Sequence, residues 1–587
     1  MKRTLLSLFI CGIFVITMQG QYVTIEGRQF KDENGEDFYP VICNYAADII
    51  HDGLGNFNIA PSAAYGVNWG YDCVPMTTCY FDAFFHDFTE IRNMGFNAIR
   101  LMGPNAEKDS VTPIGFSYFI NYWANPNYKN QIIKDLSPNY SSDPSMDLLL
   151  NSLDDILAVA GLCSLKVILV PSRGRLAQSQ DAVNDVADYL KVFGAHFANN
   201  PDVLAYDLYN EPTWVDHLSV FDSAYDHTKF QVCQYVRSWY DSLKLGDPNH
   251  LVTMGLGTFN YHDVIEWDPG IMKLDFISEH IYPAFRIEEN YNIDTAMIRF
   301  KDELIWTARN VPIPWIIGET GFAGTDNSFP PFNKPKYTDS VYTHQPYVWG
   351  SLADQKAFAD TALKLMRDCG ASGISWWQFQ DTYWGQNPDS TSPAAYKESF
   401  FGLLNSGNWD TVTGYETFRK PAVESFQTFD PTASPGPFPE QTLMYYNPYN
   451  FDETDSHMIT GYVKELNTGN PINNAVILIN SKIRATEHDS TIGYAYPHYT
   501  FSDTSGTFHC YPAPDSVYAT TIDDVKVSFP GCERIERGWT SAYNSQNIPV
   551  RNNELFELGS GGVQYDAEIT GITIQGSCSS TFEGWNS

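Results

Sequence analysis

LAYDLYNEPTW, residues 204–214, runs through a short apolar stretch of strand character and stops at Asn210-Glu211-Pro212. Leucine, alanine and tyrosine fill the run, so the strand belongs inside a core. Pro212 prevents the backbone from continuing it, which leaves Glu211 at the strand's end.

Working outward, seven more runs of this kind occur: VICNY (41–45), NAIRLM (97–102), KVILVPS (166–172), HLVTMGL (250–256), DFISEHIY (275–282), WIIGET (315–320) and GISWWQF (373–379). Between them lie amphipathic or helix-rich segments such as DLLLNSLDDILAVAG, FQVCQYVRSWYDSLK and LADQKAFADTALKLMRDCG. In the last, Phe358, Ala362, Leu365, Met366 and Cys369 fall on one helical stripe and read as core. Strands alternating with helices give an α/β protein with a parallel sheet, and eight such units closing on themselves predict a (β/α)8 TIM barrel. A doubly wound open sheet would carry a phosphate-binding glycine loop after its first strand, where this chain has NYAADII.

The chain has 587 residues, more than one ordinary core needs. MKRTLLSLFICGIFVITMQGQ has the basic, apolar and small-residue order of a secretory signal peptide, so residues 1–20 are expected to be removed. The product is then expected to be extracellular or periplasmic, with no transmembrane segment in the mature chain. Residues 21–430 would form the barrel. PTASPGPFPE, 431–440, has the composition of a linker. From 441 to 587 the pattern changes to short alternating strands with Asn-Thr-Gly and Asp-Thr-Ser-Gly turns, which predicts a small C-terminal Ig-like β-sandwich.

Net charge is −34, from 36 basic and 70 acidic residues. Such a surface repels phosphate backbones and excludes nucleic acid as an expected partner, while neutral polymers remain suitable. Ten cysteines are too few for a disulfide scaffold of this size. Cys73 and Cys79 are near enough in sequence to close a loop or to stay free, and neither shows zinc-ligand spacing.

Active sites of such barrels form at the C-terminal ends of the strands. Glu211 ends the fourth and Glu319, in WIIGETGF, ends the seventh, so the two carboxylates face each other across the barrel mouth. Glycosidic cleavage needs that arrangement: one acid protonates the leaving oxygen while the other attacks the anomeric carbon or activates water.

Asn-Glu-Pro after the fourth strand, Gly-Glu-Thr-Gly-Phe after the seventh, GFNAIRL at the second, SEHIYP at the sixth and SWWQFQD at the eighth together resemble the clan A glycoside hydrolases, family 5 above all. GRQFKDENGEDFYPVICNY resembles that family's first hairpin and strand, so the resemblance spans residues 22–430. It implies a retaining, cellulase- or mannanase-like enzyme with Glu211 as acid/base and Glu319 as nucleophile. It further implies that Arg100 keeps Glu319 ionised, that Tyr282 bonds it, that His280 lines the acid/base side, that Asn210 binds the sugar 2-hydroxyl and that Trp377 is the platform under the reacting sugar. Trp376 would be packing. Trp214 and Trp384 become candidates for neighbouring subsites, and Trp69, Tyr122, Trp123 and Trp349 either stack on sugars or pack their own loops. KVILVPSRGR departs from the family pattern, with Ser172, Arg173 and Arg175 where a histidine often stands.

TGYVKELNTGNPINNAVILINS with SDTSGTFHCYP resembles the carboxypeptidase regulatory-like β-sandwich, which implies a spacer or attachment module. Cys510 and Cys532 are left open as a pair. The sequence thus predicts a secreted, monomeric retaining β-glycosidase acting on a poly- or oligosaccharide of glucan or mannan type, with no cofactor and no metal. A catalytically silent sugar-binding or adhesion protein, and a transglycosylase using the same two glutamates, are the alternatives.

Overall fold

The computed structural model describes residues 22–51, 57–62, 65, 76–102, 105–107, 115–117, 141, 144–171, 180–211, 229–257, 272–282, 293–325, 350–382, 400–405, 409–410, 414–415, 418–442, 459–465, 468–484, 495–510, 519–529, 535–538 and 551–558. The expected signal peptide, Trp69, Tyr122, Trp123, Ser172, Arg173, Arg175, Trp214, Trp349, Trp384, Cys73 and Cys532 lie outside them.

All eight strands read from the sequence are present: β1 Val41–His51, β2 Ala98–Met102, β3 Lys166–Leu169, β4 Val203–Asn210, β5 Leu251–Leu256, β6 Ile277–His280, β7 Trp315–Glu319 and β8 Gly373–Trp376. Each pairs in parallel with the next, and β8 pairs with β1 through Ile374–Val41, Ser375–Ile42 and Trp376–Cys43, which closes the barrel. The helices are α1 Met76–Asn93, α2 Pro144–Leu162, α3 Gln180–Phe197, α4 Lys229–Gly246, α5 Ile293–Asn310, α6 Leu352–Cys369 and α7 Ala422–Thr428. Helix α6 shows why these segments start and stop where they do. Ser351 and Asp354 form a reciprocal capping box, Gly370 ends the helix at φ 77°, and the predicted stripe of Phe358, Ala362, Met366 and Cys369 is buried.

Alternate residues of each strand serve two cores, as the period of two requires. Outward side chains join the helices in one large cluster, with Trp315 and Ile317 of β7 and Val252 and Met254 of β5 as examples. Inward ones at the N-terminal end, Ile42, Ala98, Ile168, Ala205, Leu251 and Ile316, pack on Val23 and Phe30. Phe30 belongs to, and Val23 immediately precedes, the leading antiparallel sheet of strands 24–26, 29–31 and 37–38, and the Phe30 ring meets Phe276 edge-on at 5.2 Å. The hairpin therefore plugs one end of the barrel and leaves the other end for chemistry.

Residues 431–442 run against α5 and α6. Gly436 donates to Asp368 at 2.7 Å, Thr442 to Asp302 at 2.7 Å, and the Arg309 guanidinium sits 5.6 Å from the Phe438 ring centroid. Beyond them, strands 459–465, 507–510 and 551–558 form one sheet, and 476–484, 495–501, 519–528 and 535–538 an antiparallel second. The buried Trp306 of α5 donates its indole N–H to the Asn474 carbonyl at 2.9 Å, and Val476 and Phe501 pack into the same core cluster. A segment with a linker's composition is thus held along the barrel by backbone hydrogen bonds to buried carboxylates. Cys43, Cys163 and Cys369 are buried free thiols, and Cys233 is buried as well. Among the described residues no helix is long and apolar enough to cross a membrane.

Candidate active site

Two strands reach the open end of the barrel with one extra residue each, just before their glutamates. On β4 the register passes from Asp207 opposite Thr253 to Asn210 opposite Gly255, three residues against two. On β7 it passes from Ile317 opposite Glu279 to Glu319 opposite His280, two against one. Strict alternation would send Asn210 to the face opposite Asp207, and Glu319 outward with Trp315 and Ile317. The bulges restore both to the interior, while Leu208 and Tyr209 both go to the helix layer. Gly318 fits the second bulge because a Cβ there would lie 2.1 Å from Ser278 Oγ.

Glu211 follows directly, at φ 48°, in the left-handed region that residues with a side chain rarely occupy. Its amide donates to the Gly255 carbonyl at 2.9 Å. This turn swings the carboxylate over the barrel axis.

Arg100, from β2 and fully buried, is the centre of the site. Its Nε and Nη2 meet Asp207 Oδ2 at 2.8 and 2.7 Å, Nη1 donates to Asn44 Oδ1 at 3.1 Å and to Glu319 Oε1, and Nη2 donates to Asn210 Oδ1 at 2.8 Å. Because a guanidinium only donates, Asn210 must turn its oxygen to it, which leaves the amide NH2 as the group available to a ligand. Glu319 Oε2 accepts the Tyr282 hydroxyl at 2.7 Å. His280 Nδ1 lies 2.7 Å from Glu211 Oε1 and 3.5 Å from Glu319 Oε2. Carboxylate oxygens of Glu211 and Glu319 approach within 4.8 Å of each other.

The two acids sit in unlike surroundings. Burial pushes Glu211 up to about 7, with Arg100 opposing and Asp207 reinforcing the rise. Burial also raises Glu319, outweighing Arg100, although that carboxylate receives donors directly from Arg100 and Tyr282 while, among the described residues, Glu211 receives none from a cation. A proton shared between them therefore rests on Glu211. His280 is lowered to about 4 by its burial, so its ring is neutral at pH 7. Its Nε2 is buried with no hydrogen-bond partner, so the single ring proton belongs on Nδ1, donated to Glu211 Oε1. That leaves Glu211 Oε2 to carry the transferable proton.

Trp377 lines the mouth with Met102, Val170, Ala323, Phe400, Phe401 and Tyr282, whereas Trp376 is buried in the helix layer with its indole N–H on the Phe401 carbonyl at 2.9 Å. Glu211, Glu319, Arg100, Asn210, His280, Tyr282 and Trp377 are thus brought to one end of the barrel. Sequence reading missed Asp207 and Asn44. The latter donates to Ser375 Oγ at 2.6 Å and to the carbonyls of Gly318 and Trp376 at 3.1 and 3.2 Å. Their available signal was a lone polar residue inside an otherwise apolar strand. Glu211, His280 and Glu319 are also close enough to surround a cation. Glu319, however, already accepts from Arg100 and Tyr282 on its two oxygens, and the adjacent guanidinium opposes a second positive charge, so the trio suits acid-base work better than metal binding.

Residues 79–345 match the family model described as cellulase, glycosyl hydrolase family 5, a segment covering under half of the chain and containing both glutamates. No curated protein matches. Among solved structures, the exo-β-1,4-mannosidase of Opitutaceae bacterium strain TAV5 is 17% identical, with a TM-score of 0.43 over 69% of this chain and 62% of its own. A β-glucuronidase of Ruminococcus gnavus, solved with glucuronic acid, is 15% identical, with a TM-score of 0.40 over 69% of this chain and 51% of its own. A β-glucanase of Saccharophagus degradans, solved with cellotetraose, is 16% identical, with a TM-score of 0.38 over 66% of this chain and 92% of its own. This chain therefore spans 62% and 51% of the first two. The superpositions are partial, and what the barrel does is decided by its own side chains. The family match supports reading residues 79–345 as similar to a glycoside hydrolase domain.

Proposed function

We propose that the protein is a retaining β-glycoside hydrolase in which Glu319 is the nucleophile and Glu211 the acid/base. The observation that carries this reading is the approach of the two carboxylates to within 4.8 Å, one bonded to Arg100 and Tyr282 and the other, among the described residues, to a neutral histidine. Retaining enzymes hold their carboxyl groups about 5–5.5 Å apart, and an inverting enzyme needs roughly 6.5–9.5 Å to admit a water.

In the first step Glu319 attacks the anomeric carbon and the glycosidic C–O bond breaks. The Glu211 proton passes to the departing oxygen. A glycosyl ester on Glu319 and an ionised Glu211 result. In the second step Glu211 takes a proton from water as that water's oxygen attacks the same carbon, releasing Glu319 and a sugar of unchanged anomeric configuration. The Asn210 NH2 is placed to bind the sugar's 2-hydroxyl, and the Trp377 indole to lie beneath its apolar face. Arg100 takes the charge that returns to Glu319 when the ester breaks.

The substrate class we infer is a β-linked glucan, mannan or related polysaccharide, with secretion through the N-terminal signal and an attachment or spacer role for an Ig-like sandwich in residues 441–587. Reducing-sugar release from a panel of β-glucans, mannans and xylans tests the proposal, with wild type and Glu319→Ala side by side. Release by wild type alone supports it and names the polymer. Equal release by both proteins would refute it, and binding without release would favour a sugar-binding protein.

A further inference from the structure

Asp207 lies beneath both glutamates without bonding either. It is fully buried on β4, and N–H donors occupy both of its oxygens. Oδ2 accepts Arg100 Nε at 2.8 Å and lies 2.7 Å from Nη2, while Oδ1 accepts the Gly255 amide at 2.6 Å. The first contacts fix the guanidinium that donates to Glu319. The other fixes Gly255, whose carbonyl accepts the Glu211 amide at 2.9 Å. The β4 bulge between Asp207 and Asn210 is what allows both to meet the same guanidinium.

We propose that Asp207 is a positioning residue for both catalytic glutamates, holding Glu319 through Arg100 and Glu211 through Gly255. The role rests on the glycosidase reading above and deepens it. No neutral residue of the same shape can replace the carboxylate, because an asparagine would turn its NH2 against either the guanidinium or the Gly255 N–H. Gly255 itself has no room to adjust, since a Cβ on it would lie 2.8 Å from His280 Nε2 and 3.0 Å from Arg100 Nη2.

Charge follows from the same geometry. Among the described residues, the charged and titratable groups around Glu211 are Arg100 from β2, Asp207 from its own strand, His280 and Tyr282 from β6 and the residues after it, and Glu319 from β7. One guanidinium faces three carboxyl groups. Asp207 offsets Arg100, so that Arg100 steadies an ionised Glu319 without also drawing the proton from Glu211. Without Asp207 the guanidinium acts on Glu211 unopposed.

The test uses the full chain and needs no substrate. The infrared C=O band of a protonated carboxyl that disappears in Glu211→Gln reports the titration of Glu211. In Asp207→Asn its midpoint is expected about one pH unit below wild type. On whichever polymer wild type cleaves, kcat should fall about 10- to 100-fold with a smaller change in KM, and the alkaline limb of the pH profile should move the same way. An unmoved midpoint would overturn the proposal, whatever happens to activity, because a merely structural role does not shift it. Should Asp207→Asn fail to fold, Arg100→Gln and Arg100→Gln/Asp207→Asn give the comparison without a buried unpaired guanidinium. The double variant should then titrate below the single, and equal midpoints would overturn the proposal. A wild type inactive on every polymer would count against the glycosidase reading, and the infrared comparison would still decide the role of Asp207.

Discussion

The Tyr282 hydroxyl is 2.7 Å from Glu319 Oε2, and the Tyr282 ring lies on the Phe401 ring at 5.8 Å between centroids with 20° between planes. In the proposed mechanism this pair sets both the charge and the aim of Glu319 as nucleophile. A hydrogen bond to a charged group contributes about 1.5–3 kcal/mol, so Tyr282→Phe should lower kcat/KM by roughly 10- to 100-fold while the protein stays folded. Michaelis kinetics with a circular-dichroism control check this, and an unchanged kcat/KM would remove Tyr282 from the mechanism.

In the proposed mechanism Glu211 and the leaving group are coupled through one proton. Glu211→Ala should therefore slow cleavage of polysaccharide by about 10²- to 10⁴-fold, because the departing sugar oxygen needs that proton. With a dinitrophenyl glycoside, whose leaving group departs without protonation, the first step should be nearly as fast as in wild type. Comparing burst rates on the two substrates measures this. Equal losses on both would mean that Glu211 is not the acid.

The pH profile follows from the same two groups. Glu211 must be protonated to act as the acid and is raised to about 7, so kcat/KM should fall as pH rises through about 7. Glu319 must be ionised and is raised by burial, so the acid limb should lie above the ordinary carboxylate range. The result is a narrow bell on the acidic side of neutrality, and in Glu211→Gln the alkaline limb should vanish. A limb that persists there would belong to another group.

Glu279 neighbours His280 on β6 but points into the helix layer, where Thr307 of α5 donates to it at 2.8 Å. Burial, reinforced by Glu303, pushes it up to about 8. Its folded value lies above its unfolded one, so the folded state binds the extra proton between the two. Stability is therefore full below the unfolded value and is lost as pH rises through about 8. Glu279→Gln should remove that loss, melting like wild type near pH 5 and higher than wild type above pH 8, by up to a few kcal/mol. Thermal melts at the two pH values decide it, and parallel losses in both proteins would assign the pH dependence elsewhere.

Much of the barrel was legible in the sequence because its strands are short apolar runs with polar neighbours. Asn-Glu-Pro and Gly-Glu-Thr marked the ends at which the glutamates stand. KVILVPS and DFISEHIY were read too long, since pairing ends at Leu169 and covers only Ile277–His280. Apart from Asp275, the extra residues are apolar or sit beside a proline, and hydrophobicity cannot tell where a ladder stops. The bulges were not legible at all. Alternation is a rule about regular strands, and the sites where it breaks are the ones that aim Asn210 and Glu319. Asp207 and Asn44 were visible as single polar residues, but their meaning lies in Arg100, which gathers groups from β1, β4 and β7. No local pattern records such a meeting. Arg100 was expected to keep Glu319 ionised. Its ion pair is present, and burial works against it.

The central claim is that Glu319 forms a covalent bond to the sugar. A 2-deoxy-2-fluoro-β-glycoside with a dinitrophenyl leaving group, matched to the sugar released in the polymer panel, slows breakdown of that ester enough to weigh it. Intact mass followed by peptide mapping should show one fluorosugar on the peptide carrying Glu319, and none in Glu319→Ala. A label on Glu211, or turnover without any label and with inverted product, would contradict the account.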